Sequence, residues 1–134
     1  MGWHRFEEIG AWQRAWELSR MVSAVCRRDS FKRDERLRGQ MQDAGRSGPR
    51  NIAEGFGRWK HGDFAKFVRI AKASEVELLN HFQEAFRTGH ISEAEHDRLD
   101  HEAKKALKAA NGLIRWLEEH PDLPQLSNNR PRRT

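Results

Sequence analysis

The sequence predicts an all-α fold, an antiparallel, up-down-up-down four-helix bundle. Three observations carry that expectation. The chain has 134 residues, room for one domain and not two. Charged residues make up 34% of it and only four are proline, the composition of solvated helices and not of a barrel or sandwich of short strands. Four stretches of about 20 to 27 residues repeat apolar side chains at helical spacing, with short polar connections between them.

The first stretch runs from Phe6 to Arg27, with Ile9, Trp12, Trp16, Val22 and Val25 along one face. Arg27 to Asp34 reads as a polar connection. The second helix spans Asp34 to Trp59 and turns Leu37, Met41, Ala44, Gly48, Ile52, Gly55 and Trp59 inward. Pro49 sits in its middle, where it removes a backbone donor and crowds the carbonyl of Gly45, so either a kink or a local break is expected. If it is a break, Ser47 can cap the segment that restarts near Pro49.

The third helix spans Asp63 to Arg87, with Phe64, Phe67, Val68, Ala71, Leu78, Leu79, Phe82 and Phe86 as its stripe. Gly89 is placed to end it. Ser92 opens the fourth helix, with Glu95 three residues on completing a capping box. Its inner face is Leu99, Ala103, Ala106, Leu107, Ala110, Leu113, Ile114 and Leu117, and Pro121 and Pro124 stop it. Leu78 and Leu107 are both expected in the core. Residues 1–120 form the bundle domain in this scheme. Residues 121–134, ending in Arg-Pro-Arg-Arg-Thr, form a basic tail with nothing to bury, expected to be disordered.

Composition narrows function. No apolar run approaches the roughly 20 residues of a membrane span. The opening Met-Gly-Trp-His-Arg-Phe-Glu-Glu lacks the apolar core of a secretory signal. Lone Cys26 has no internal disulfide partner, which points to a reducing cytoplasm. The net charge is +5, unevenly spread. Residues 1–72 hold 16 Lys/Arg against 9 Asp/Glu, whereas residues 73–134 hold 9 against 11. An arginine-rich basic half suits a polyanion such as nucleic acid. Arg46, Arg50, Arg58 and Lys60 on the second helix, with Lys66, Arg69 and Lys72 on the third, lie mostly off the apolar stripes and form the candidate binding surface.

Catalytic and metal signatures are weak. Glu93 and His96 supply one Glu-x-x-His spacing, but a di-metal bundle needs two together with further inward glutamates. Asp97 and His101 read as a surface pair, so no metal or cofactor is expected. Arg115 and His120 have the Arg-x4-His spacing that resembles the ribonuclease motif of HEPN helical domains, but Trp116 follows the arginine where a polar residue is usual. Nucleophile-elbow, phosphate-loop and dinucleotide motifs do not occur. The chain is expected not to be an enzyme.

Ser47-x-Pro49-x-Asn51-Ile52-Ala53-Glu54-Gly55 is the most distinctive stretch. An inner-face glycine admits a close helix, and Asn51 or Glu54 can then bond across the gap. Together with Phe6-x-x-Ile9-x-x-Trp12-Gln13-x-Ala15, Leu37-x-x-Gln40-Met41 and Phe64-x-x-Phe67-Val68-x-Ile70-Ala71-x-x-Ser74-x-x-Glu77-Leu78, it resembles the four-helix bundle proteins encoded in intervening sequences of bacterial 23S ribosomal RNA genes. These are similar in turn to the accessory variability determinant of diversity-generating retroelements.

The resemblance covers about residues 6–118. It implies a cytoplasmic homopentamer with a basic surface and no known catalysis; the accessory determinant works with a reverse transcriptase and nucleic acid, which makes these two the candidate partners. The chain departs from the pattern at Gln42 and Asp43, which replace a usual basic pair, and at Arg46 and Gly48, which replace apolar residues. Five Trp and seven Phe exceed what one small bundle needs inside, and Trp3, Trp12, Phe31 and Trp59 are expected at the interface between copies. The competing expectation is a protein–protein assembly module whose charge serves only solubility.

Overall fold

A computed structural model describes residues 2–122 of the chain. Most of the expected tail therefore lies outside the described residues. A 3-10 turn at Phe6–Glu8 leads into α1 (Gly10–Cys26), followed by one-turn α2 (Asp29–Lys32), α3 (Glu35–Phe56), α4 (His61–Arg87) and α5 (Glu93–Glu119). Four of the five helices are long, and there is no strand among the described residues.

Local chemistry sets the helix limits. The Glu8 carboxylate accepts from the His4 and Arg5 N–H groups, which tightens the entry into a 3-10 turn, and Ile9 is extended, so α1 starts at Gly10 and not at Phe6. Asp34 caps α3 by accepting from the Leu37 N–H at 3.2 Å. That N–H and, after it, the His90 imidazole hold the Asp34 carboxyl below its ordinary value. Gly89 takes a left-handed φ of 82° after α4, where a side chain would be strained. The capping box at α5 forms as expected, with Glu95 N–H on Ser92 Oγ and Ser92 N–H on Glu95 Oε1.

Alpha-3 runs through Pro49 without a break, so no capped restart occurs. Asn51 stays within its own helix, donating to the Ser47 carbonyl at 2.8 Å and to Ser47 Oγ at 3.0 Å. The crossing bond comes from Ser74, whose hydroxyl lies 2.7 Å from that of Ser47. Glycine does permit close approach at position 55, where a Cβ would fall 2.7 Å from Phe64 Cδ1 and 3.0 Å from Phe67 Cβ. Contacts of α3 with α4 follow opposite chain directions: Arg36 pairs with Glu84, Ser47 with Ser74, and Gly55 meets Phe64.

The core forms two apolar clusters. One gathers Leu18, Val22, Phe31, Leu37, Met41, Leu78, Phe82 and Leu99, and the other Ile9, Ile52, Phe56, Phe64, Val68, Leu113 and Leu117, each joined by smaller residues. Several expectations are corrected here. Phe31 is fully buried on α2 and stacks on His90 at 4.6 Å, so it cannot serve an interface between copies. Trp16 is 48% exposed: the buried stripe of α1 is Ala11, Ala15, Leu18, Val22 and Val25, because the neighbouring helices approach closest over the alanines. Phe86 is 41% exposed near the end of α4 and tilts against His96. Leu107 is only half-buried, since Ala103, Ala106 and Ala110 occupy the centre of the α5 stripe and leave it on the flank.

Candidate nucleic-acid interface

The candidate cations are carried by α3, the connection after it and α4. A straight helix advances about 100° per residue, so positions away from the stripe Leu37–Met41–Ile52 face outward. Arg46, Arg50, Arg58, Lys60, Lys66 and Arg69 are exposed, as their spacing predicted, and Lys72 is half-buried.

Their electrostatic states differ. Arg58 pairs with Glu54 at 2.9 Å, one turn back, and its guanidinium lies 5.0 Å from the centre of the Phe67 ring. Arg69 reaches across to Glu118 on α5. Both pairs are half-exposed, so they hold side-chain geometry more than they add stability. Arg46, Arg50, Lys60, Lys66 and Lys72 form no ion pair among the described residues. Spacing along a single helix could not show that Glu118 lies opposite Arg69, because that partner comes from another helix.

The remaining candidates do not gather into a catalytic centre. Five residues correspond to about 140° around a helix, which separates Arg115 from His120. The His120 ring instead donates to the Trp116 carbonyl at 2.8 Å and stacks on the Trp116 indole at 4.4 Å. Next to it, the His61 ring bonds the His120 carbonyl while Asp122 accepts from the His61 backbone N–H. His96 lies 3.4 Å from Asp97, and Glu93 and His101 are exposed. No group of three or more His, Cys, Asp or Glu residues suited to a metal ion occurs among the described residues. Burial pushes the Cys26 thiol up to about 11, which leaves it protonated and unreactive.

The expected interface aromatics fare unevenly. Trp3 packs within the chain, edge-on to Phe64 and Trp116 at 6.3 and 5.6 Å. Trp12 and Trp59 are half-buried. Helical spacing did not single out Glu75, which is 1% exposed, with neither carboxylate oxygen hydrogen-bonded among the described residues. Desolvation pushes its carboxyl up to about 8. Its place between Ala71 and Leu78 on the stripe was the only sequence signal for its burial.

These features define a helical-bundle protein whose outer α3 and α4 surfaces carry exposed cations. Residues 7–112 match the profile of the family described as 23S rRNA-intervening sequence protein. The chain belongs to that family. No curated protein sequence matches it. No helix among the described residues is long and apolar enough to cross a membrane.

Proposed function

We propose that this chain is a non-enzymatic accessory protein of the antiparallel up-down-up-down type that binds the phosphate backbone of RNA. The observation that carries this reading is the group of exposed cations, Arg46, Arg50, Lys60 and Lys66, without carboxylate partners among the described residues. A guanidinium or ammonium that has no internal partner stays available to phosphate, and its binding releases condensed counterions. RNA is taken as the first ligand to test because the family description names a sequence that intervenes in 23S rRNA. A ribosomal RNA or a reverse transcriptase working on RNA fits as the wider partner.

The test is fluorescence anisotropy with labelled RNA at several salt concentrations. Affinity is expected to fall steeply as salt rises. Replacing Arg50, Lys60 and Lys66 together with Ala is expected to weaken single strands and duplexes by similar factors and to flatten the salt slope by about two units. Absence of binding even at low salt would refute the reading and leave a protein–protein assembly module.

The same reading includes a closed homo-oligomer, with five copies the number implied by the family resemblance. It is supported by Ile70 and Val76, apolar side chains on two flanks of α4 that are 48% and 49% exposed. Light scattering at micromolar concentration is expected to return about five times the 15.7 kDa mass of one chain. A mass near that of a single chain would refute the assembly.

A further inference from the structure

We propose that the seam between α1 and α3 is a stacking site for single-stranded RNA, with the Trp16 indole as its platform and Arg46 and Arg50 as its phosphate contacts. The inference rests on the RNA-binding reading above and adds to it a site and a strand preference.

The platform is already ordered. Trp16 is 48% exposed, yet its ring lies nearly parallel to that of Trp12, with centroids 5.5 Å apart and an interplanar angle of 8°. Trp12 is held in turn by Phe6, edge-on at 5.2 Å. The three rings form a ladder that ends at solvent on Trp16. An indole fixed this way loses little freedom when a base stacks on it, and every base offers a π face.

Two glycines bring the arginines to the same seam. A methyl at Gly48 would meet Ala15 Cβ at 3.3 Å, and one at Gly45 would lie 3.7 Å from Ser19 Cα. Alpha-1 and α3 therefore pack closely along Ala15–Ser19 and Gly45–Gly48. The residues that follow the contact positions, Trp16 on α1 and Arg46 on α3, flank this line, with Arg50 one turn beyond Arg46. Both arginines are exposed and form no ion pair among the described residues. The bordering positions 12, 16, 19 and 23 of α1 and 42, 46, 49 and 53 of α3 hold no carboxylate; the nearest on α3 are Asp43, one turn before Arg46, and Glu54, one turn after Arg50, which pairs with Arg58. An aromatic plane beside guanidinium groups that form no ion pair matches the two chemistries of a single strand, base face and phosphate. Duplex RNA keeps its base faces inside the stack, so the indole cannot use them.

The experiment compares a labelled oligoadenylate of about 12 nucleotides with an RNA duplex of the same length, by anisotropy at low salt. Trp16→Ala is expected to weaken the single strand about tenfold and leave the duplex unchanged. Trp16→Phe keeps a ring plane and is expected to retain most of the affinity. Because Trp16 is half-exposed, circular dichroism of both variants is expected to match the parent. Arg46→Ala with Arg50→Ala is expected to weaken both probes.

An unchanged single-strand affinity in Trp16→Ala, or an equal loss on both probes, would overturn the stacking site while the RNA-binding reading stands. Failure of the parent protein to bind either probe would overturn both. A fall in oligomer mass in Trp16→Ala without a change in single-strand affinity would assign the seam to a second copy and also overturn the proposal.

Discussion

Towards both ends of the bundle the largest enclosed side chains are apolar, although His81 is buried beside Phe82, whereas the middle encloses a polar cluster. Phe31, Leu37, Leu78, Phe82 and Leu99 fill one end and Ile52, Phe64, Val68 and Leu117 the other, all almost wholly removed from water. Between them, on facing stretches of α3 and α4, lie Ser47, Ser74 and Glu75. In the apolar layers stability grows with buried area and packing. In the middle layer it depends on whether each polar atom has a partner. Ser47 and Ser74 have one in each other, whereas Glu75 has none and its burial raises its carboxyl. The comparison teaches that the apolar ends hold the bundle together and that the carboxyl buried at its middle adds a loss of stability as pH rises.

The largest expected effect tests the apolar layers. Leu78→Ala removes a side chain that is 1% exposed and should cost about 2–5 kcal/mol in urea unfolding. Leu107→Ala, on the half-exposed flank of α5, should cost roughly 1 kcal/mol. Equal losses would mean that the layers are not packed as described.

Next comes Glu75. Its carboxyl is raised from an ordinary 4.5 to about 8. Below the lower value, folded and unfolded chains both hold the proton. Between the two, the unfolded chain releases it while the folded chain keeps it, so stability falls as pH rises and levels off above about 8. Glu75→Met should remove this decline and stabilise the protein by about 2–4 kcal/mol at pH 8. Thermal unfolding from pH 4 upward checks both expectations, and an identical pH profile for the variant would refute them.

The smallest effect belongs to the serine pair. Ser74→Ala leaves the Ser47 hydroxyl with only Asn51 and should cost about 1 kcal/mol. Replacing Ser47 as well should add little more, because the shared bond is already gone. Additive losses in the double variant would show that the two hydroxyls act separately.

The corrected positions show where sequence reasoning stops. Ala11 and Ala15 share a helical period with Trp12 and Trp16, one residue out of step, and the larger side chains drew the stripe to the wrong side of α1. Phe31 sits among Arg28, Lys32 and Arg33, so a short charged segment concealed a core anchor. Arg69 read as a free cation until α5 placed Glu118 beside it. In each case the missing information was the identity of the neighbouring helix.

By itself, the sequence determined the number of long helices and most of their limits. Asp34, Gly89, and Ser92 with Glu95 act within a few residues of backbone, and such chemistry is complete before any helix meets another. Only the tertiary structure decided which flank of each helix is enclosed, which arginines keep a free charge and which carboxyl loses its water. Burial and pairing are sums over groups brought together from distant parts of the chain. Glu75 and Glu77 are two residues apart on one helix, and it is the packing of the first against Gly48 of α3 that buries it while the second stays in solvent.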